Sequence, residues 1–195
     1  MTSEQLTALG IDSKWLDPLE EAFAKYDIST PKRQAAFIGQ CAHESGNFKI
    51  LQENLNYSAE GLMKTWASRF PTKEIADQYA RQPAKIAGKV YNGRMGNATE
   101  EEAAKYLGRG LIQLTGKEMY ANCGKAIGTD LIGEPTLLLD PRYAALSAGW
   151  FWNKKGLNSL ADSGDIETMT KRINGGLIGL DDRKAKIAKA LSVLG

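Results

Sequence analysis

The chain has 195 residues, 43% of them hydrophobic, and 25 basic against 23 acidic side chains give a formal net charge of +2. One domain spanning 1–195 is the simplest expectation for that length and apolar content. The charge is too small to point to nucleic acid, and no run reaches the roughly 20 apolar residues of a membrane helix, so neither partner is expected. Cys41 and Cys123 are the only cysteines and His43 the only histidine, which argues against a zinc site of nitrogen and sulfur ligands.

In chain order, helical signals dominate. Residues 3–9 and 15–26 form a first pair split by Gly10. Residues 31–45, 58–68, 72–81 and 83–90 follow, with Thr30, Ser58 and Thr72 as caps and Pro71 and Pro83 as breaks. YNGRMGNAT (91–99) reads as a loop, and 99–107 as a short helix. In GRGLIQLTG the period becomes two, which predicts a short extended segment with Gln113 and Thr115 on one side and Ile112 and Leu114 on the other. Asp140 and Pro141 open a helix running to Lys155, and Asp165 caps another that ends at Asn174. The last helix, 181–194, places Ile187, Ala190, Leu191 and Leu194 on one face and Arg183, Lys184, Lys186 and Lys189 elsewhere, as a packed helix with a solvated basic face would.

The stretch 31–58 carries the chemistry. Phe37, Cys41 and Glu44 fall at i, i+4 and i+7, so Glu44 prolongs an apolar stripe into the last turn before Gly46. Both the apolar face and the negative end of the helix dipole disfavour an ionised Glu44, as a general acid requires. Glu53 lies nine residues on among Gln52, Asn54 and Asn56, whose hydrogen bonds are expected to keep it ionised. An acid and a base are one reading of this pair, and two unrelated surface glutamates are the other.

Several tempting motifs fail. GLIQLTGKE is not a phosphate loop, because five residues separate Gly110 from Gly116 and Glu118 stands where Ser or Thr belongs. GRGLIQ lacks the third glycine of a dinucleotide fingerprint. No G-x-S-x-G elbow exists to partner His43, which is read as a neighbour that positions the Glu44 helix end or lines the cleft.

AHESGNF, ENLNYS, VYNGRMGN, YLGRGLIQLTG and RINGG together resemble glycoside hydrolase family 19, most closely its phage endolysin branch of chitinase-like lysozymes. The resemblance runs from about Ile11 to the C-terminus. It implies a mainly α, single-domain lysozyme-like helical fold with at most a short extended segment, and a substrate cleft between the 31–58 region and the segments holding Thr115 and Asn174. It implies no separate cell-wall-binding module, no metal and no cofactor. Glu44 matches the general acid, Glu53 the base that activates water in an inverting reaction, and Thr115 the hydroxyl that helps hold that water. Gln113 and Asn174 match substrate-binding residues. Arg109 matches the arginine of the Gly-Arg-Gly run, expected to pair with an acidic group. His43, Tyr57 and Tyr120 are expected to line the cleft, with packing alone as the other reading of the two tyrosines. Inversion requires the two carboxyls roughly 6.5–9.5 Å apart.

Two departures stand out. Ala104 occupies the place of a tryptophan in the family's Gly-Asp-Gly-Trp run, and Met119 replaces the asparagine of Thr-Gly-x-x-Asn-Tyr. The implied activity is hydrolysis of β-1,4 bonds in peptidoglycan by a monomer, with lysis of bacteria as its outcome. A chitinase of the same chemistry and an inactive wall-binding module are the alternatives. MTSEQLTALGIDSKWLDPLEEAF shows no signal peptide, so the expectation is synthesis in the host cytoplasm and action on the wall after release, with a holin providing the exit.

Overall fold

The computed structural model describes every residue from Met1 to Gly195. Twelve α-helices carry the fold: α1 Ser3–Ala8, α2 Leu16–Lys25, α3 Pro31–Glu44, α4 Ala59–Thr65, α5 Lys73–Asp77, α6 Pro83–Tyr91, α7 Glu100–Lys105, α8 Lys117–Ile127, α9 Pro141–Lys154, α10 Leu157–Ser163, α11 Ile166–Asn174 and α12 Leu180–Leu194. The β pairing consists of two isolated antiparallel bridges, Gln52 with Arg109 and Arg109 with Leu114. The mainly α expectation holds. The chain forms two compact units: Met1–Leu51 with Gly110–Gln113 and Thr136–Gly195, and Gln52–Arg109 with Leu114–Pro135.

The first unit is built around α3. Thr30 accepts a hydrogen bond from the Arg33 N–H, and Pro31 takes the first helical position, where a missing N–H costs nothing. From Ala35 to Ala42 every residue is buried, so this helix is enclosed on all faces and not only on one stripe. Phe37 meets Phe23 of α2 and Trp152 of α9 edge to face, with ring centroids 5.5 and 5.3 Å away. Helix α12 lies directly against α3. A Cβ on Gly39 would stand 2.7 Å from the backbone nitrogen of Ile187, so the two backbones approach this closely only because position 39 has no side chain.

The second unit packs Leu62, Phe70, Ile86 and Val90, all at most 1% exposed, into the core of α4 to α7. Burying each such side chain stabilises by about 1.5–3 kcal/mol. Ser58 and Thr72 cap α4 and α5 through Gly61 N–H and Ile75 N–H, as their sequence positions suggested.

The sequence misplaced some boundaries. Helix α4 stops at Thr65 and α5 at Asp77, short of the expected 68 and 81. Helices α8 and α10 were not anticipated; each starts from a glycine with no side-chain cap, so neither carried a start signal. The 108–116 segment is not extended. Arg109 pairs with Leu114, and positive φ at Gly110 (87°) and Gln113 (59°) turns the chain between them. Leu111 and Leu114 are buried while Ile112 is half-exposed, so the alternation in sequence did not mark a pleat.

Candidate active site

Glu44 is the last residue of α3. The chain leaves the helix through three consecutive left-handed residues, Gly46 (φ 55°), Asn47 (59°) and Phe48 (66°). Only the first is a glycine. Asn47 is a residue that tolerates this region, while Phe48 costs about 1–2 kcal/mol of backbone strain. The Phe48 N–H donates to the Ser45 hydroxyl, which donates to the Cys41 carbonyl, and the Phe48 ring stands 5.1 Å from that of Trp15. These contacts hold the strained exit in place beside a carboxylate, as strained backbone at functional sites requires.

A charge partner, and not only the apolar stripe, holds Glu44. Arg183, 1% exposed, donates from Nη2 to Glu44 Oε1 at 2.5 Å, from Nη1 to Gln40 Oε1 at 2.7 Å and from Nε to the Ile178 carbonyl at 3.1 Å. Gln40 is buried and donates in turn to the Thr170 hydroxyl. A buried guanidinium is tolerable only when its donors are engaged in this way. Oε2 of Glu44 is left without a protein partner, and the side chain is 22% exposed. Burial, then the neighbouring Glu44 charge, pushes the Cys41 thiol well above its ordinary value, so Cys41 is the inert core residue its pattern suggested.

The sequence placed Arg183 on the solvated face of the last helix; the structure corrects this. Residues 183, 187 and 190 are the buried positions of α12, and they follow the i, i+4, i+7 rule. That spacing was the available signal, masked because an arginine scores as polar.

In the second unit, Glu53 is held by neutral donors. The Tyr91 hydroxyl donates to Oε2 at 2.9 Å and the Gly108 N–H to Oε1 at 2.7 Å. The expected partners are committed elsewhere: Asn54 accepts from the Asn56 N–H, and Gln52 accepts from Arg109. Burial, the Glu53 charge and their shared hydrogen bond push the Tyr91 phenol upward, which fixes it as a donor. Tyr91 ends α6 and is followed by the 92–99 loop, whose buried Asn97 donates to the Tyr91 carbonyl and accepts from the Lys117 N–H. The sequence had assigned Tyr91 to that loop and given it no role.

The other candidates divide. Thr115 and Gln113 are half-buried, Asn174 is exposed at the end of α11, and Tyr57 is half-buried against Trp66. His43 keeps 22% exposure and pairs with Asp182. Tyr120 is fully buried, donating to the Leu107 carbonyl and accepting from Arg109, so it is a packing residue and not a cleft wall. Arg109 meets no acid; its acceptors are Gln52, the Lys105 carbonyl and the Tyr120 hydroxyl, and it ties the Gly-Arg-Gly turn to Gln52 and α8.

Residues 21–166 match the model of glycoside hydrolase family 19, described as chitinase class I. The chain belongs to that family. A family 19 domain-containing protein of Haemophilus influenzae is 43% identical over 164 residues, 83% of this chain and 79% of that one. An Arabidopsis thaliana endochitinase is 31% identical over 158 residues, 80% of this chain but 44% of its own length. Chitinase C from Streptomyces griseus matches structurally with a TM-score of 0.67 at 19% identity, over all of this chain and 92% of that one, which confirms the family 19 fold. The family match contains Glu44, Glu53 and Thr115 and ends before Asn174 and Arg183. The protein is therefore a chitinase-like glycoside hydrolase, an enzyme acting on a glycan polymer. No helix is long and apolar enough to cross a membrane.

Proposed function

We propose that this family 19 enzyme hydrolyses the β-1,4 bonds of peptidoglycan with inversion, residues 1–195 serving as one catalytic domain acting as a monomer. The carrying observation is that the two glutamates of the family motifs are each fixed by hydrogen bonds, to different partners. Arg183 anchors Glu44 through Oε1 alone, which leaves Oε2 open to the leaving oxygen. Both oxygens of Glu53 accept hydrogen bonds, from the Tyr91 hydroxyl and the Gly108 N–H, which fix the carboxylate that activates water. Thr115 helps hold that water; Gln113, Asn174, His43 and Tyr57 contact the sugars. Inversion follows when water attacks in a single displacement.

Support for peptidoglycan comes from the endolysin-like motifs. The names of the endochitinase relatives favour chitin as the second reading. In this proposal the enzyme is made in a bacterial cytoplasm and reaches the wall after release. Digestion of purified peptidoglycan and of chitin oligomers, with mass spectrometry of new reducing ends and proton NMR in the first minutes, tests it. Muropeptides released with fresh α-anomer are expected. Faster turnover of chitin oligomers, or fresh β-anomer, would overturn the substrate or the mechanism.

A further inference from the structure

The C-terminal end of α3 offers two adjacent residues, His43 and Glu44, and the first turn of α12 offers two more, Asp182 and Arg183. They pair in register: Asp182 Oδ2 lies 2.6 Å from His43 Nδ1, and Arg183 reaches Glu44. Successive residues on a helix point about 100° apart, so both pairs form together only at one rotation of α12 about its axis.

The imidazole is confined on a second side as well. Gly179, at φ 73°, lies so close that a Cβ there would fall 2.2 Å from His43 Cε1 and 2.4 Å from Nε2. An ionised Asp182 can only accept, so the proton on the ring must sit on Nδ1. Nε2 then has no protein partner, on a side chain that remains 22% exposed. The other oxygen of Asp182 accepts from Lys186, one turn along α12, at 3.0 Å.

We propose that Asp182 is a positioning residue of the hydrolytic site, which selects the Nδ1–H tautomer of His43 and locks the rotation of α12 that sets Arg183 on Glu44. It touches no substrate itself; it acts through His43 and Arg183. This rests on the reading of Glu44 as proton donor. A displacement of a catalytic group by about 1 Å can cost 10²-fold in rate, so a lock of this kind is expected to appear in kcat more than in KM.

Because His43 is the only histidine, long-range proton–nitrogen NMR of the labelled enzyme reports one imidazole without ambiguity. The wild type is expected to show Nδ1–H. Asp182→Ala should lose that preference and lower kcat about tenfold or more, with KM changed less than threefold, on whichever polymer the wild type cleaves. Asp182→Asn, whose amide oxygen still accepts from Nδ1–H, should restore the tautomer and most of kcat. Lys186→Ala, which breaks only the surface ion pair, should behave as wild type in both. Rates are compared at equal folded fraction, well below each melting temperature. A wild-type ring protonated on Nε2 alone, a wild-type kcat in Asp182→Ala, or equal losses in Lys186→Ala would overturn the proposal. Full activity in Glu44→Gln would instead remove the reading of Glu44 and leave the tautomer measurement standing.

Discussion

The two units hold their glutamates by different means. In the first, Glu44 ends a helix enclosed on all faces and is gripped by a buried cation, itself braced by Gln40 and the Ile178 carbonyl. In the second, Glu53 sits on irregular backbone and receives two neutral hydrogen bonds, one from a phenol and one from a main-chain amide. Charge pairing is strong and unforgiving, since removal of either partner strands the other; neutral donors are weaker and more easily replaced.

The largest expected effect tests the first environment. Glu44→Gln keeps an oxygen for Arg183 but has no proton to give, so glycan hydrolysis should fall about 10²–10⁴-fold with the circular dichroism spectrum unchanged. More than a tenth of the activity in the folded variant would dismiss Glu44 as the donor. Arg183→Met should be felt in stability as well as rate. Loss of one member of a buried pair costs about 3–5 kcal/mol, and partial exposure of Glu44 places the expected loss near the lower end, measured by urea unfolding. In the second environment Tyr91→Phe removes one hydrogen bond from a neutral donor to a carboxylate, worth about 1.5–3 kcal/mol, so a roughly tenfold rate loss is expected, with a smaller fall in melting temperature than for Arg183→Met. An equal fall for Tyr91→Phe and Glu44→Gln would erase the contrast.

The smallest effects separate the units by pH. Glu21, Asp27, Asp162, Asp165 and Asp182 all lie in the first unit and are held below the ordinary carboxylate range. The leading causes are Arg142, Ser29, Arg33, Thr168 and His43 respectively. Their lowered values add stability above the unfolded carboxylate values and lose it as pH falls through the folded ones. Only Glu102, held by Lys117, does the same in the second unit. The reverse holds for phenols. Burial, opposed by Arg109, pushes Tyr120 up to about 12, and Tyr91 is raised further. Raised values give stability below the ordinary phenol value near 10 that is lost as pH rises through the folded one. Hydrogen exchange should therefore quicken first in the first unit below about pH 4. The exposed carboxylates contribute little each, so the acid effect is small. At alkaline pH both units carry a raised group, Cys41 in the first and the two phenols in the second, so no order is expected there. Equal loosening of the two units in acid would count against the division.

The sequence by itself determined most helices, because caps at Thr30, Ser58, Thr72, Asp140 and Asp165 and the prolines after two of them act locally. It also determined the family and the pair Glu44 and Glu53, because ordered motifs record them without any knowledge of contacts. Tertiary structure decided what surrounds each carboxylate. Arg183 lies 139 residues from Glu44 and Tyr91 38 from Glu53, and no local pattern encodes a partner at that range. Folding likewise decided the partners of Arg109 and Tyr120, which bond one another while Arg109 also bonds Gln52, contacts that exist only once the Gly-Arg-Gly turn has formed. Local chemistry sets where a helix starts and stops; which polar group is taken out of water, and what it then pairs with, is settled only by packing.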